Sequence, residues 1–207
     1  MLIDVSLRLK EGMLFRKGSP KFSITKINCF DEEEGQYDTS IITTPSHIGT
    51  HIDVINKDKE IEVNRFIGRG VLIDISTFKE GPITLKHIKN QDSIDKGDFV
   101  FFRSLWSKYI GNEKYFDHPD LSFEVIEWLT KKKVNMIGID ALGVGKGENH
   151  GIFDKYLASN GVYIIENLTN LDLIKEETFK VYCFPLNIGN LEAIPSRVIV
   201  EVSEYQI

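Results

Sequence analysis

A chain of 207 residues with a formal charge of −6 can bury one sizeable hydrophobic core, and that charge argues against non-specific binding to nucleic acid. With 42% hydrophobic and 27% charged residues it has the composition of a globular protein, and no apolar run approaches the length of a membrane span. The opening Met1-Leu2-Ile3-Asp4-Val5 lacks the pattern of an export signal, so the expectation is a single domain over residues 1–207, cytoplasmic and without a membrane partner.

In chain order, Leu2 to Leu9 alternates apolar and polar residues and predicts a strand, as does part of Phe22 to Phe30. The acidic run Asp31-Glu32-Glu33-Glu34-Gly35 reads as an exposed loop between strands. Gly70 to Ile75 and Phe99 to Phe102 are short apolar runs of the buried-strand type. A short helix is predicted around Thr84 to Lys89, with His87 structural. Leu121-Ser122 opens a further helix, capped by Ser122, with Phe123, Val125, Ile126 and Leu129 on its apolar side. Lys131-Lys132-Lys133 ends it, where positive charge suits the helix dipole. Val134 to Ile139 and Val162 to Ile165 are predicted strands around a helix from Phe153 to Ser159, closed by Asn160-Gly161. Lys180 to Phe184 and Arg197 to Val202 complete the set. Strands interleaved with a few helices predict an α/β domain. Cys29 and Cys183, far apart and without a C-x-x-C pair, are expected to be reduced, buried and structural.

The densest chemistry lies in His47-Ile48-Gly49-Thr50-His51-Ile52-Asp53, which holds two of the five histidines of the chain. Two imidazoles and a carboxylate within seven residues suit a divalent ion with mixed nitrogen and oxygen ligands. The competing reading is a turn whose histidines hydrogen-bond locally. Gly49, Thr50, Ile52, Val54 and Ile55 favour extended or irregular backbone over a helix, and an extended backbone places His51 and Asp53 on one face. A second cluster comprises His150, Asp154 and Glu166. His150 and Asp154 share a side if the helix begins early enough, and Glu166 ends an apolar strand where an ionised acid needs a partner or a metal. His118 is expected in a loop. Of the aromatic residues Phe15, Phe66, Phe101, Phe102, Trp106 and Tyr109, most are assigned to the core. Trp106, ahead of Ser107-Lys108, is the candidate substrate wall, and Arg103 the candidate for a substrate carboxylate, with Asp140 as its internal alternative.

These clusters carry a family resemblance. Residues 47–57 read H-I-G-T-H-I-D-V-I-N-K, and the sequence resembles the cyclase family of bacterial kynurenine formamidases and isatin hydrolases, whose hallmark is H-x-G-T-H-x-D-x-P-x-H. Ile3-Asp4-Val5-Ser6, Trp106-Ser107-Lys108, Tyr115-Phe116, His118-Pro119, Leu121-Ser122, Gly138-Ile139-Asp140 and Glu166-Asn167-Leu168 follow in the family's order. The resemblance implies a single-domain mixed β-sheet core with flanking helices, the swivelling β/β/α fold. It also implies a homodimer or homotetramer, and metal-dependent hydrolysis of a small amide, formamide, cyclic amide or lactone with one or two zinc or manganese ions. His47, His51 and Asp53 fall on metal ligands and Glu166 on the late acid that binds metal or handles a proton. Three positions depart. The motif's third histidine falls on Lys57 and its proline on Ile55, while a later metal-binding histidine aligns with Asp154. Lys57 then suits oxyanion stabilisation as a cation, Asp154 shifts preference towards manganese, and His150 is a substitute ligand one turn earlier. The alternatives are a protein that binds a small molecule or anion without turning it over and, less strongly, a lyase or isomerase that stabilises an enolate.

Overall fold

The computed structural model describes residues 1–14, 16, 18–55, 60–78 and 81–203. Its strands are β1 (Leu2–Asp4), β2 (Ser23–Asp31), β3 (Gly35–Thr43), β4 (His51–Asp53), β5 (Ile67–Asp74), β6 (Phe99–Arg103), β7 (Met136–Ile139), β8 (Tyr163–Glu166), β9 (Thr178–Pro185) and β10 (Ala193–Glu201). Two α-helices, α1 (Phe123–Lys132) and α2 (Glu148–Ser159), accompany them. The mixed sheet with flanking helices is as expected. The sheet also closes on itself, because its order β10-β4-β8-β7-β6-β5-β9 is completed by a β9–β10 pairing. Strand β10 makes this possible: Ala193–Pro195 pair with β4 and Ile199–Glu201 with β1, while Ser196–Glu201 pair with β9.

Strands β5 to β8 run parallel, and residues 70–73, 99–102, 136–139 and 163–165 within them are buried on both faces, which is why these stretches read as short apolar runs. Alternate residues divide between two cores. Leu72, Phe99, Phe101, Met136 and Ile165 point into the barrel with Ile52, Val181 and Val200. Val71, Val100, Phe102, Ile137 and Ile164 face outward, against Val125, Ile126 and Leu129 of α1 and Phe153 and Leu157 of α2.

Helix α1 begins as expected, with the Ser122 hydroxyl accepting from the Val125 amide, and ends at Lys133 in the left-handed conformation. Phe123, placed by the sequence on the apolar side, is half exposed and packs instead against Phe153 and Tyr156. Helix α2 starts five residues before Phe153, on Glu148. The stretch around Thr84 to Lys89 is a single 3-10 turn, Leu85–His87, in which His87 Nδ1 accepts from the Thr84 amide. Strands β2 and β3 form a separate ribbon whose acidic tip is exposed, as expected, and whose flanks are exposed too. Cys183 is buried inside the barrel, but Cys29, on this ribbon, is only partly covered, which corrects its expected burial. No described helix is long and apolar enough to cross a membrane.

Candidate metal centre

Strand β4 settles the geometry of the motif. It pairs antiparallel with β8 so that His51 stands opposite Glu166 and Asp53 opposite Ile164. Ile52 points into the barrel, so His51, Asp53 and Glu166 share the outer face. His47 joins them from the turn before the strand. Gly49 makes that turn with φ +57°, and a Cβ there would collide with the Leu9 side chain. Thr50 braces the turn. Its hydroxyl donates to the Asn167 carbonyl at 2.7 Å and accepts from the Leu7 amide at 2.8 Å, tying the motif to the residue after Glu166.

Three donor atoms form a triangle. His47 Nδ1 lies 3.1 Å from Asp53 Oδ1 and 3.3 Å from His51 Nε2, and His51 Nε2 lies 3.4 Å from Asp53 Oδ1. Donors about 2.0–2.1 Å from one tetrahedral ion stand roughly 3.3–3.4 Å apart, so this spacing fits a shared cation. His51 Nδ1 donates to the Gly49 carbonyl at 2.9 Å, which fixes the ring and turns Nε2 towards the carboxylates. Glu166 Oε2 lies 3.3 Å from the same nitrogen.

The second cluster assembles beside the first. Because α2 starts early, His150 and Asp154 lie one turn apart on the face towards Glu166, with His150 Nε2 3.6 Å from Asp154 Oδ2. Gly143 makes room for them: a Cβ would come within 2.7 Å of the His150 ring and 2.9 Å of Glu166 Oε1. The residues fall into two metal-holding groups, His47–His51–Asp53 and His150–Asp154–Glu166.

Electrostatics favour a cation here. Asp154 Oδ1 and Glu166 Oε1 are buried without a hydrogen-bond partner among the described residues. Each such atom costs about 1–3 kcal/mol unless something satisfies it. Burial, reinforced by the charge on Asp53, pushes Asp154 up to about 8 and holds Glu166 well above the usual carboxylate range. Burial opposes a charge on His51, yet hydrogen bonds that its ring donates to the Asp53 and Glu166 carboxylates push it up to about 10. Burial likewise works against an ionised Asp53, but His47 and His51 hold its carboxyl far below the usual range. Buried acids that hold their protons tightly, set beside imidazoles, are the donor set of a site whose protons a divalent ion displaces.

Residues 3–146 match the family described as "Putative cyclase". The chain belongs to the cyclase family. A kynurenine formamidase of Bacillus cytotoxicus is 25% identical over 207 residues, which take in 96% of each chain. An isatin hydrolase of Roseibium aggregatum is 25% identical over 220 residues, 91% of this chain and 84% of that enzyme. A solved structure described as a potential metal-dependent hydrolase with cyclase activity superposes with a TM-score of 0.80 at 28% identity, covering 98% of this chain and 99% of the other. An isatin hydrolase bound to the product analogue thioisatinate shares the fold, with a TM-score of 0.82 at 23% identity over 98% and 92% of the two chains.

Other expected site residues lie elsewhere. Arg103 donates to Asp74 at 2.7 Å and to the Ile174 carbonyl at 2.9 Å, ties within the fold, and does not line the cavity next to His47. Its suggested partner Asp140 instead accepts from the Ser104 and Leu105 amides, holding the loop after β6. Trp106 donates from Nε1 to the Tyr115 carbonyl at 3.1 Å, so it backs a wall residue and does not itself line the cavity next to His47. His118 is buried and donates to the Pro119 carbonyl from Nδ1. Phe101 and Phe102 are wholly core. Lys57 and Phe15 lie outside the described residues.

The sequence reading missed seven residues at the site. Tyr115 donates its hydroxyl to Asn167, and Tyr115, Phe116, Met13 and Leu14 wall a cavity of about 380 Å³ that opens beside His47. Glu192 accepts from the Ser46 hydroxyl at 2.7 Å and lies 3.8 Å from His47 Nε2. Arg16 donates to His150 Nε2 at 3.1 Å. Asn167, left-handed at φ +56°, turns the chain after Glu166. The Tyr-Phe and Glu-Asn-Leu segments signalled the first and last of these. Nothing local signalled Arg16 or Glu192, which reach the site from distant loops. The departure at Ile55 also has a physical reading. Its φ is +47°, which proline cannot adopt, and its amide donates to the Glu192 carbonyl at 3.1 Å, a bond proline cannot make.

Proposed function

We propose that this cyclase-family protein is a metal-dependent hydrolase of a small amide, formamide, cyclic amide or lactone. The observation that carries the reading is the donor triangle of His47, His51 and Asp53, set against Glu166 and opening on a mostly apolar cavity. His47 Nδ1, His51 Nε2 and Asp53 Oδ1 would hold a divalent ion, zinc or manganese, with Asp154, His150 and Glu166 available to a second. Such an ion polarises a carbonyl and makes water acidic near neutral pH.

The chain's own residues do the rest. Glu166 accepts the proton of the attacking water, and its burial makes the carboxylate a stronger base than one in water. The Gly49 carbonyl keeps His51 in orientation, while Thr50 and Asn167 keep Glu166 at the end of β8. The walls from Tyr115, Phe116, Met13 and Leu14 bind the apolar body of the substrate and exclude water. Lys57, assigned from the motif alone, takes the oxyanion as a cation. The curated relatives named kynurenine formamidase and isatin hydrolase support this substrate range. The protein acts as a homo-oligomer, a reading that the exposed apolar ribbon of β2 and β3 supports.

The test is hydrolysis of aryl formamides, cyclic amides and lactones by manganese- or zinc-loaded protein. Turnover of at least one class is expected, falling about 100-fold or more in Glu166→Gln. No turnover above buffer by the loaded protein, or a variant as fast as wild type, would contradict the proposal.

A further inference from the structure

His150 is held as a neutral ligand whose single acceptor atom is already engaged. A neutral imidazole has one acceptor nitrogen, and the contact from Arg16 makes it Nε2, whose lone pair faces the guanidinium. A guanidinium has only donors, so the 3.1 Å contact from Arg16 Nη2 takes up that lone pair. A divalent ion bound by His150 needs the same lone pair. Arginine and ion therefore exclude one another at this atom. The contact falls on the His150–Asp154–Glu166 group and on the residue that supplies its nitrogen.

We infer that Arg16 is a resident cation that competes with a divalent ion for the His150–Asp154–Glu166 group, so that the two halves of the centre load unequally. The His47–His51–Asp53 half loads first and tightly, because its donors already stand at a common ion's spacing. The second half loads only as Arg16 withdraws. The charge fits this role: a guanidinium beside Asp154 offsets the carboxyl that would otherwise face Asp53 across the centre. The backbone fits it as well. The Arg16 carbonyl accepts from the Ser19 amide at 3.0 Å and the Ser19 hydroxyl at 2.7 Å, a tight turn that pins the base of the residue. The side chain above it is long and largely exposed, so rotation about its own bonds separates the guanidinium from His150.

This inference rests on the metal-centre reading above, and its experiment separates the two. Metal-free full-length protein is titrated with Mn²⁺ and free ion is read by electron paramagnetic resonance, for wild type, Arg16→Gln, His150→Ala and the double variant. Wild type is expected to bind one equivalent tightly and a second weakly. Arg16→Gln should tighten the second about tenfold or more and leave the first within about twofold. His150→Ala should abolish the second phase, and adding Arg16→Gln to it should change nothing. Thermal melts of all four report folding independently. Two equal phases in wild type, or an Arg16→Gln variant that moves neither phase or both alike, overturns the inference while leaving a metal centre. Absence of binding in every protein overturns the inference and the metal centre together.

Discussion

Asp154 and His51 carry protons that ordinary exposed residues would have released, and stability must register this. Without metal, Asp154 is pushed up to about 8 from 3.8, chiefly by burial and then by Asp53. His51 is pushed up to about 10 from 6.5 by Asp53 and Glu166, against the opposing effect of burial. In both cases the folded chain binds a proton that the unfolded chain gives up at lower pH. Each contribution is present below the unfolded value and lost as pH rises through the folded one. Asp53 has the opposite sign, and its contribution is lost only as pH falls below the ordinary carboxylate range. Metal-free protein should therefore melt at least about 5 °C lower at pH 9 than at pH 5.5 in calorimetry. A melting temperature that is flat or rises across that window would show that these groups do not sit as described. At the same scale, the sequence disclosed His47, His51, Asp53 and Glu166 because a compact motif and an acid at a strand end are local signals. It did not disclose the partner of Arg103, because the Asp74 that accepts from it lies 29 residues away on the neighbouring strand.

Elements decide which side chains meet. Sequence periodicity placed the second helix at Phe153, because Gly145, Gly147 and Gly151 break the apolar pattern ahead of it. The helix nonetheless begins at Glu148, and only that extra turn puts His150 over Asp154. Tertiary packing of Phe153 and Leu157 on the sheet outweighs the weak local propensity. The ribbon of β2 and β3 shows the reverse problem. Alternation revealed one of its strands, but nothing local said that both faces would be exposed. A two-stranded ribbon is marginal in water by itself, and this one exposes Ile24, Phe30, Tyr37, Ile41 and Ile42. Ile24 and Ile42 pair directly across it. On the homo-oligomer reading, light scattering should find wild type at a multiple of the chain mass, and Ile24→Lys with Ile42→Lys should shift it towards monomer. A monomeric wild type, or a variant of unchanged mass, would contradict that reading.

For the whole molecule, the closed sheet explains why so small a motif can hold its geometry. Strand β4 is only three residues long, yet it is hydrogen-bonded to β8 on one side and β10 on the other. His51 and Asp53 therefore stand on a rigid wall, with α2 packed outside it. Closure was not legible in the sequence, since the β9–β10 pairing that completes the ring depends on register and has no composition of its own. The family pattern supplied the mixed core, but the chain's departures from it, Asp154 and Ile55, become intelligible only with the fold. Asp154 replaces a nitrogen with an oxygen at a position His150 overlooks, and Ile55 takes a backbone path closed to proline. What unites these features is a cation held by His47, His51 and Asp53. The most direct measurement is elemental analysis of wild type and His51→Ala after loading with manganese or zinc and exhaustive dialysis. Wild type should retain about one equivalent or more, and His51→Ala, folded by its melting curve, should lose most of it. Wild type retaining less than about a tenth of an equivalent, or a variant retaining as much as wild type, would contradict the account.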